Sequence, residues 1–154
     1  MLNVVKEQKG STLVVRMSGS IDENANFDQL IGPLPADVEV NSKDIRRINS
    51  IGVKGWIKFF QAAQAKGTKL HWVECSSAIV EQMNMIMNFS CGGTVESVYV
   101  PFSCTGCKSE LVGLFKTADL KKLHENMPSL KCTKCGGTAE FDDIPEEYFA
   151  FLLR

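Results

Sequence analysis

Four of the six cysteines stand in pairs: Cys104-Thr105-Gly106-Cys107, then twenty-four residues, then Cys132-Thr133-Lys134-Cys135-Gly136-Gly137. Two residues between cysteines let both sulfurs of a turn point at one ion while backbone amides stabilise the thiolates. Two such turns complete a tetrahedral four-sulfur shell, the arrangement that suits zinc. Gly136 and Gly137 permit a close turn around the metal. A redox function would need only one pair, at the start of a helix, and a catalytic zinc would need an open coordination position and a nearby base. A structural site is therefore expected, with Cys104, Cys107, Cys132 and Cys135 as ligands. Iron takes the same four sulfurs, so the spacing leaves zinc and iron both open.

The remaining reactive groups carry weaker signals. Cys75 ends a β-rich run and reads as a small buried hydrophobe. Cys91, before Gly92-Gly93, has the setting of an exposed thiol but nothing beside it that would make it reactive. His71 lies within a β-rich run and His124 in a polar stretch, and neither has an Asp, Glu or Cys at catalytic spacing. No enzyme is expected.

The elements that must hold the four cysteines can be read on either side of them. Residues 98–102 and 111–115 fit the arms of one β-hairpin, and Leu130-Lys131 with 138–141 fit the arms of another. With its two cysteine turns this segment resembles a zinc ribbon, which implies a small β-rich unit stapled by metal because it is too short to fold on packing alone. The expected division is 1–97, 98–143 for the ribbon, and 144–154 for a terminal helix. That helix would start near Pro145, with Glu146 and Glu147 in its first turn and Arg154 at its end. Tyr148, Phe149, Phe151, Leu152 and Leu153 would cover most of its circumference, so it must dock, on its own chain or as a homodimer contact.

The chain has 154 residues, 44% hydrophobic and 23% charged, with a formal net charge of -1. These values fit an ordinary globular protein. No run of about eighteen apolar residues suggests a membrane span, and the first residues lack the basic start and apolar core of a secretory signal, so a cytoplasmic location is expected. Ten basic and ten acidic residues precede Pro101, and seven basic and eight acidic follow from it. A zinc held by four thiolates would add two negative charges to the second part, which argues against general binding to nucleic acid.

The first hundred residues alternate strands and helices in the order β-β-α-β-α-β-α, the pattern of an α/β layer fold with helices packed on a central sheet. Residues 3–8 and 12–17 read as a hairpin ended by Gly19. Phe27, Leu30 and Ile31 mark a short helix stopped by Gly32-Pro33, and 37–41 a short strand. Val53, Trp56, Ile57, Phe60 and Ala63 form the buried stripe of a helix stopped at Gly67. Residues 68–75 read as a strand, and Ser76-Ser77 as the cap of a helix burying Ile79, Val80, Met83, Ile86 and Met87. Of Met83, Met85 and Met87, two fall on or near that stripe, so core filling is expected of them.

Residues 11–90 resemble the STAS domain of bacterial anti-sigma-factor antagonists. The likeness rests on Gly19-x-Ile21-Asp22, on 44–52 with its turn Asn49-Ser50-Ile51-Gly52, on the helix running to Lys66-Gly67, on the strand 70–74 and on the helix led by Ser76-Ser77. In that family the turn usually reads Asp-Ser-Ser/Thr-Gly, and the residue before the Gly accepts phosphate from a partner kinase. Here Asn49 replaces the Asp and Ile51 stands at the acceptor position. Isoleucine cannot take a phosphoryl group, so an always-available docking contact is expected instead. Ser50 is expected to cap the helix.

The resemblance implies a non-enzymatic regulatory protein-protein interaction module. Its contact surface would be Asn49, Ser50, Ile51 and Gly52, with Asp22, Ser76 and Ser77 beside them. The implied partner is a kinase-like anti-sigma factor, a related sensor protein or the ATPase of a lipid transporter. Two other readings stand next to it: a ribbon adaptor contacting nucleic acid or transcription machinery, and a thiol or metal sensor with Cys91 as resolving thiol.

Overall fold

The computed structural model describes residues 1–123 and 126–153, so His124 and Arg154 lie outside the described residues. The first two β-rich runs form the expected hairpin. β1 (Leu2–Lys9) and β2 (Thr12–Ile21) pair antiparallel, from Leu2 opposite Gly19 to Lys9 opposite Thr12. Gly19 does not end β2. It takes φ 101° beside a register shift against the next strand, so it bends β2, which continues to Ile21.

α1 (Phe27–Leu30) is short and is capped by Asn26, whose side chain accepts from the Gln29 N–H. β3 (Asp37–Ile48) is a single twelve-residue strand and not the short one expected. The polar run from Asn41 to Asp44 breaks the apolar alternation but not the strand, because pairing with β2 resumes past a register shift at Asp44 opposite Ser18 and runs to Ile48 opposite Ile21. Then follow α2 (Ser50–Ala65), β4 (Lys69–Val73), α3 (Ser77–Met85) and β5 (Thr94–Val95). These strands form one mixed sheet in the order β1-β2-β3-β4-β5, antiparallel only at β1-β2.

Alternation along the parallel strands sends Val15, Met17, Val38, Val40, Leu70 and Trp72 into the core. The helical stripe of α2 meets them with Trp56 and Phe60. Trp56 stacks on Trp72 (centroids 5.1 Å apart) and on Phe89 (4.8 Å). Both indole N–H groups find carbonyls, Trp56 that of Phe89 (3.0 Å) and Trp72 that of Ser90 (2.9 Å), so two large amphipathic rings are buried without an orphaned donor. Those bonds also pull the 86–93 segment over the core. Cys91 is consequently buried, not exposed, and burial pushes its thiol up to about 11. Met83 is buried as expected. Met85 and Met87 are exposed, because α3 stops at Met85 and the stripe does not continue past Ile86.

The second sheet is antiparallel throughout, in the order β7-β6-β9-β8, from β6 (Ser97–Cys104), β7 (Glu110–Lys116), β8 (Leu130–Lys131) and β9 (Thr138–Phe141). Both expected hairpins form, and β6 pairing with β9 merges them into one sheet. A helix with no marked apolar stripe in the sequence, α4 (Thr117–Leu123), follows β7 and buries Leu120. The molecule is thus mixed α/β, with a mixed sheet under helices and a second antiparallel sheet. The two are joined through Cys75, whose N–H donates to Ser97 O (3.1 Å) and whose carbonyl accepts from Tyr99 N–H (2.8 Å). Their buried residues form one continuous core.

The terminal segment is not one helix over 144–154. α5 (Pro145–Tyr148) gives way to a 3-10 turn (Ala150–Leu153). A straight helix would spread its aromatics around the circumference, whereas the break turns both Tyr148 and Phe149 inward. The segment docks on its own chain. Asn84 of α3 donates to Tyr148 O and accepts from Phe151 N–H (both 2.9 Å), and Phe149 stacks on Phe141 (5.2 Å).

Candidate metal centre

Cys104 ends β6 and Cys107 lies in the turn before β7, while Cys132 and Cys135 occupy the turn between β8 and β9. Pairing of β6 with β9, with Cys104 opposite Ala139, brings the two turns face to face. Thr105 fastens them, its N–H and hydroxyl both donating to Thr138 O (2.9 and 3.0 Å).

The four sulfurs lie within 4.8 Å of one another. Cys104 and Cys135 Sγ are 3.4 Å apart, Cys107 and Cys132 Sγ 3.7 Å. A tetrahedral zinc with Zn–S about 2.3 Å needs S···S edges of about 3.8 Å, so the donors fit such an ion with only small adjustment. None of the four is in a disulfide. Cys104 and Cys132 are buried, Cys107 and Cys135 exposed, so one side of the cage faces the sheet and the other the solvent.

Each turn also carries the amides that thiolates need. Gly106 and Cys107 N–H donate to Cys104 Sγ (3.3 and 3.4 Å), Lys134 N–H to Cys132 Sγ and Gly137 N–H to Cys135 Sγ (both 3.4 Å). The Ser109 hydroxyl, 3.0 Å from Cys107 Sγ, together with the Ser109 backbone, pulls that thiol down to about 6. The Cys107 amide leads the groups that hold Cys104 below its ordinary value. Both would ionise readily for a cation. Ser109 was not singled out in the sequence; a hydroxyl two residues after a ligand cysteine is the signal that could have found it.

No family model matches the chain, and no curated protein matches it. Four cysteines that could hold a metal ion such as zinc therefore stand on their own geometry. No helix among the described residues is long and apolar enough to cross a membrane.

The residues expected to form a partner surface are only partly brought together. Asn49, not Ser50, caps α2, its side chain accepting from Gly52 N–H (2.8 Å), because the asparagine is the last extended residue and Ser50 is already helical. Asn49 also donates to the Glu23 carboxylate (2.9 Å), and its N–H to Ile21 O (3.1 Å), which ties the turn to the Asp22 loop. Gly52 sits where any Cβ would run into the Ile21 carbonyl. Ser50 and Ile51 are left on the surface, Ile51 56% exposed. The Ser76-Ser77 loop stands apart from this turn. Val73 pairs with Asn41, seven residues before Ile48, and Ser76 is buried as the cap of α3 while Ser77 lies beside Tyr148.

His71 has the acidic partners that its sequence neighbours do not supply. Its Nδ1 meets Glu96 Oε2 (2.5 Å) and its Nε2 Asp37 Oδ1 (2.9 Å), and Asp37 in turn accepts from the Thr12 hydroxyl (2.5 Å). Strand pairing joins residues 25 and 34 positions away, which no local spacing reveals. The imidazole bridges the carboxylates instead of converging with them, so the group ties strand ends together and offers no metal cage.

Proposed function

We propose that the chain is a bacterial regulatory module of STAS-like type that works by binding a protein partner, with a structural zinc ribbon joined to it. The reading rests on the order β-β-α-β-α-β-α, on the tightly tied turn at the start of α2, and above all on Ile51. A large apolar side chain is held out from a turn fixed at three points, the Asn49 cap, the Glu23 bond and the Gly52 contact with Ile21. Such a residue adds nothing to the fold and is suited to a pocket on another protein. Four thiolates saturate a tetrahedral ion, so the metal's role is to hold the second sheet. The partner class is a kinase-like anti-sigma factor, a related sensor or a transporter ATPase.

The test compares capture from extracts of the source cell by the intact chain and by Ile51→Asp. A single protein retained by the first and lost by the second, with direct binding weakened at least about ten-fold, is the expected result. Equal retention by both would remove Ile51 and this surface from the reading. Metal analysis of freshly purified protein is expected to give zinc at the four cysteines.

A further inference from the structure

β7 is an edge of the second sheet, paired on one side with β6. Its backbone groups on the other side can be assigned from what β6 does. Odd-numbered residues of β6 turn away from β7: Ser97 O accepts from Cys75, Tyr99 N–H donates to Cys75, and Pro101 O accepts from Asp142. The hydrogen-bonded pairs of the β6-β7 ladder are therefore Val98 with Phe115, Val100 with Gly113 and Phe102 with Leu111. The N–H and C=O groups of Glu110, Val112, Leu114 and Lys116 point outward, and among the described residues no loop or side chain takes them up.

The side chains at those four positions are also unprotected. Val112 is 59% and Leu114 49% exposed, continuing an apolar strip from Pro101 and Tyr99, their neighbours on β6. Glu110 and Lys116 stand at the two ends, and neither is ion-paired among the described residues. Bare edges normally carry a central charge, a proline or a bulge that blocks pairing, and β7 has none between its ends.

The edge is complementary to itself. Laid antiparallel on a copy of itself about Gly113, it sets Glu110 against Lys116, Leu111 against Phe115 and Val112 against Leu114. The outward-pointing residues then meet only one another, Glu110 with Lys116 and Val112 with Leu114, which is the parity a ladder of hydrogen-bonded pairs requires. From this agreement of register, charge and apolar pattern, we infer that the chain forms a twofold dimer through antiparallel pairing of β7 with β7 of a second copy, centred on Gly113. About eight backbone hydrogen bonds would close the gap, with an opposite-charge pair at each end. The surface is separate from Ile51, so the dimer would leave that turn free.

Sedimentation equilibrium on the metal-loaded full chain tests the pairing. The wild type is expected to dimerise. Glu110→Lys and Lys116→Glu each place like charges opposite each other at both ends, and each should weaken self-association about ten-fold. An equimolar mixture of the two variants restores opposite charges at both ends, so it should associate about as tightly as the wild type. Leu114→Pro removes an outward N–H without touching the β6 ladder, and should give a monomer whose circular dichroism spectrum matches that of the wild type. A monomeric wild type, single variants that associate as tightly as the wild type, or a mixture no tighter than its components would each overturn the inference.

Discussion

Lys108 and Gly136 hold the same place in the two cysteine turns. Each follows the second cysteine of its pair, each has a positive φ (64° and 76°), and each donates its N–H to the carbonyl of the first cysteine (3.0 Å in both). The match extends one residue further, since Cys104 N–H bonds Ser109 O (2.9 Å) and Cys132 N–H bonds Gly137 O (2.8 Å). The four-cysteine cluster is thus built twice from one local design. Only the second copy uses the residue type for which the left-handed region carries no steric penalty.

Lys108→Gly should accordingly stabilise the second sheet, and Gly136→Ala should destabilise it. No neighbour lies near a Cβ at Gly136, so the effect there is purely one of backbone conformation. Each change is expected to be about 1 kcal/mol, of opposite sign, read as the midpoint of chelator-induced unfolding.

Removing the metal, by chelation or by Cys104→Ser, should loosen the second sheet unevenly. β6 from Ser97 to Val100 is bonded to Cys75 and buried in the common core, so its amides should keep most of their protection. Amides of 102–115 and 130–141, which depend on the crossed turns, should exchange roughly a hundred-fold faster, a loss of about 3 kcal/mol of opening free energy. Hydrogen exchange with mass spectrometry distinguishes this from uniform loosening.

The sequence was most legible where a local pattern and a tertiary need coincide. The stripe of α2, the hairpin of β1 with β2, both cysteine turns and the Ser76 cap all emerge from spacing alone. Long-range pairing remained hidden. Nothing near Leu130 says that β9 will also pair with β6, and nothing near His71 names Asp37 or Glu96. At β3 the expected strand stopped at Asn41, but pairing of Asp44, Ile45, Arg47 and Ile48 with β2 carries it on to Ile48. At Cys91 the flanking glycines suggested exposure, yet the two indole bonds draw that segment over the core. The terminal aromatics demanded docking, but their partners, Asn84 and Tyr99, lie more than forty residues away.

His71 should make stability depend on pH. Partial burial disfavours its charged form, but the bonds to Glu96 and Asp37 outweigh this and hold its pKa above the ordinary 6.5. Its contribution is therefore fully present below 6.5 and is lost as pH rises through the higher folded value. Asp37, held below 3.8 by Thr12 and His71, loses its own contribution only as pH falls through its lowered value. Urea unfolding of wild type and His71→Gln should differ most at about pH 6, and the difference should shrink toward about pH 9. A constant difference would mean that the imidazole titrates alike in the folded and the unfolded chain.

The turn before α2 should resist phosphorylation under the proposed function. Incubation with a kinase-like anti-sigma partner and ATP is expected to leave 49–52 unmodified, since Ile51, at the position before Gly52 where the resembled family carries its acceptor, has no hydroxyl. Ile51→Ser, in the same assay, should gain a phosphate, because it puts an exposed hydroxyl directly before Gly52, at the acceptor position, near the positive end of the helix. Peptide mapping by mass spectrometry reads both outcomes, and phosphate on Ser50 of the wild type would restore the switch one residue earlier.

The docked terminus should be a structural clamp between the sheets. Tyr148 OH donates to Tyr99 O (2.5 Å) in surroundings that push its own pKa up through burial, and Phe149 is buried against Phe141. The two side chains do different work. Tyr148→Phe keeps the packing but leaves the Tyr99 carbonyl without that donor, which should cost about 1–2 kcal/mol. Phe149→Ala opens a cavity where the terminus, β9 and α3 meet, and about 3–4 kcal/mol is expected. Deleting 146–154 removes both and uncovers Phe141 and the Asn84 amide that held the segment. The truncated chain should therefore aggregate, or exchange amides faster in α3 and β9 together. That joint response separates a clamp from a free tail, because loss of a tail would leave solubility and exchange in both elements unchanged.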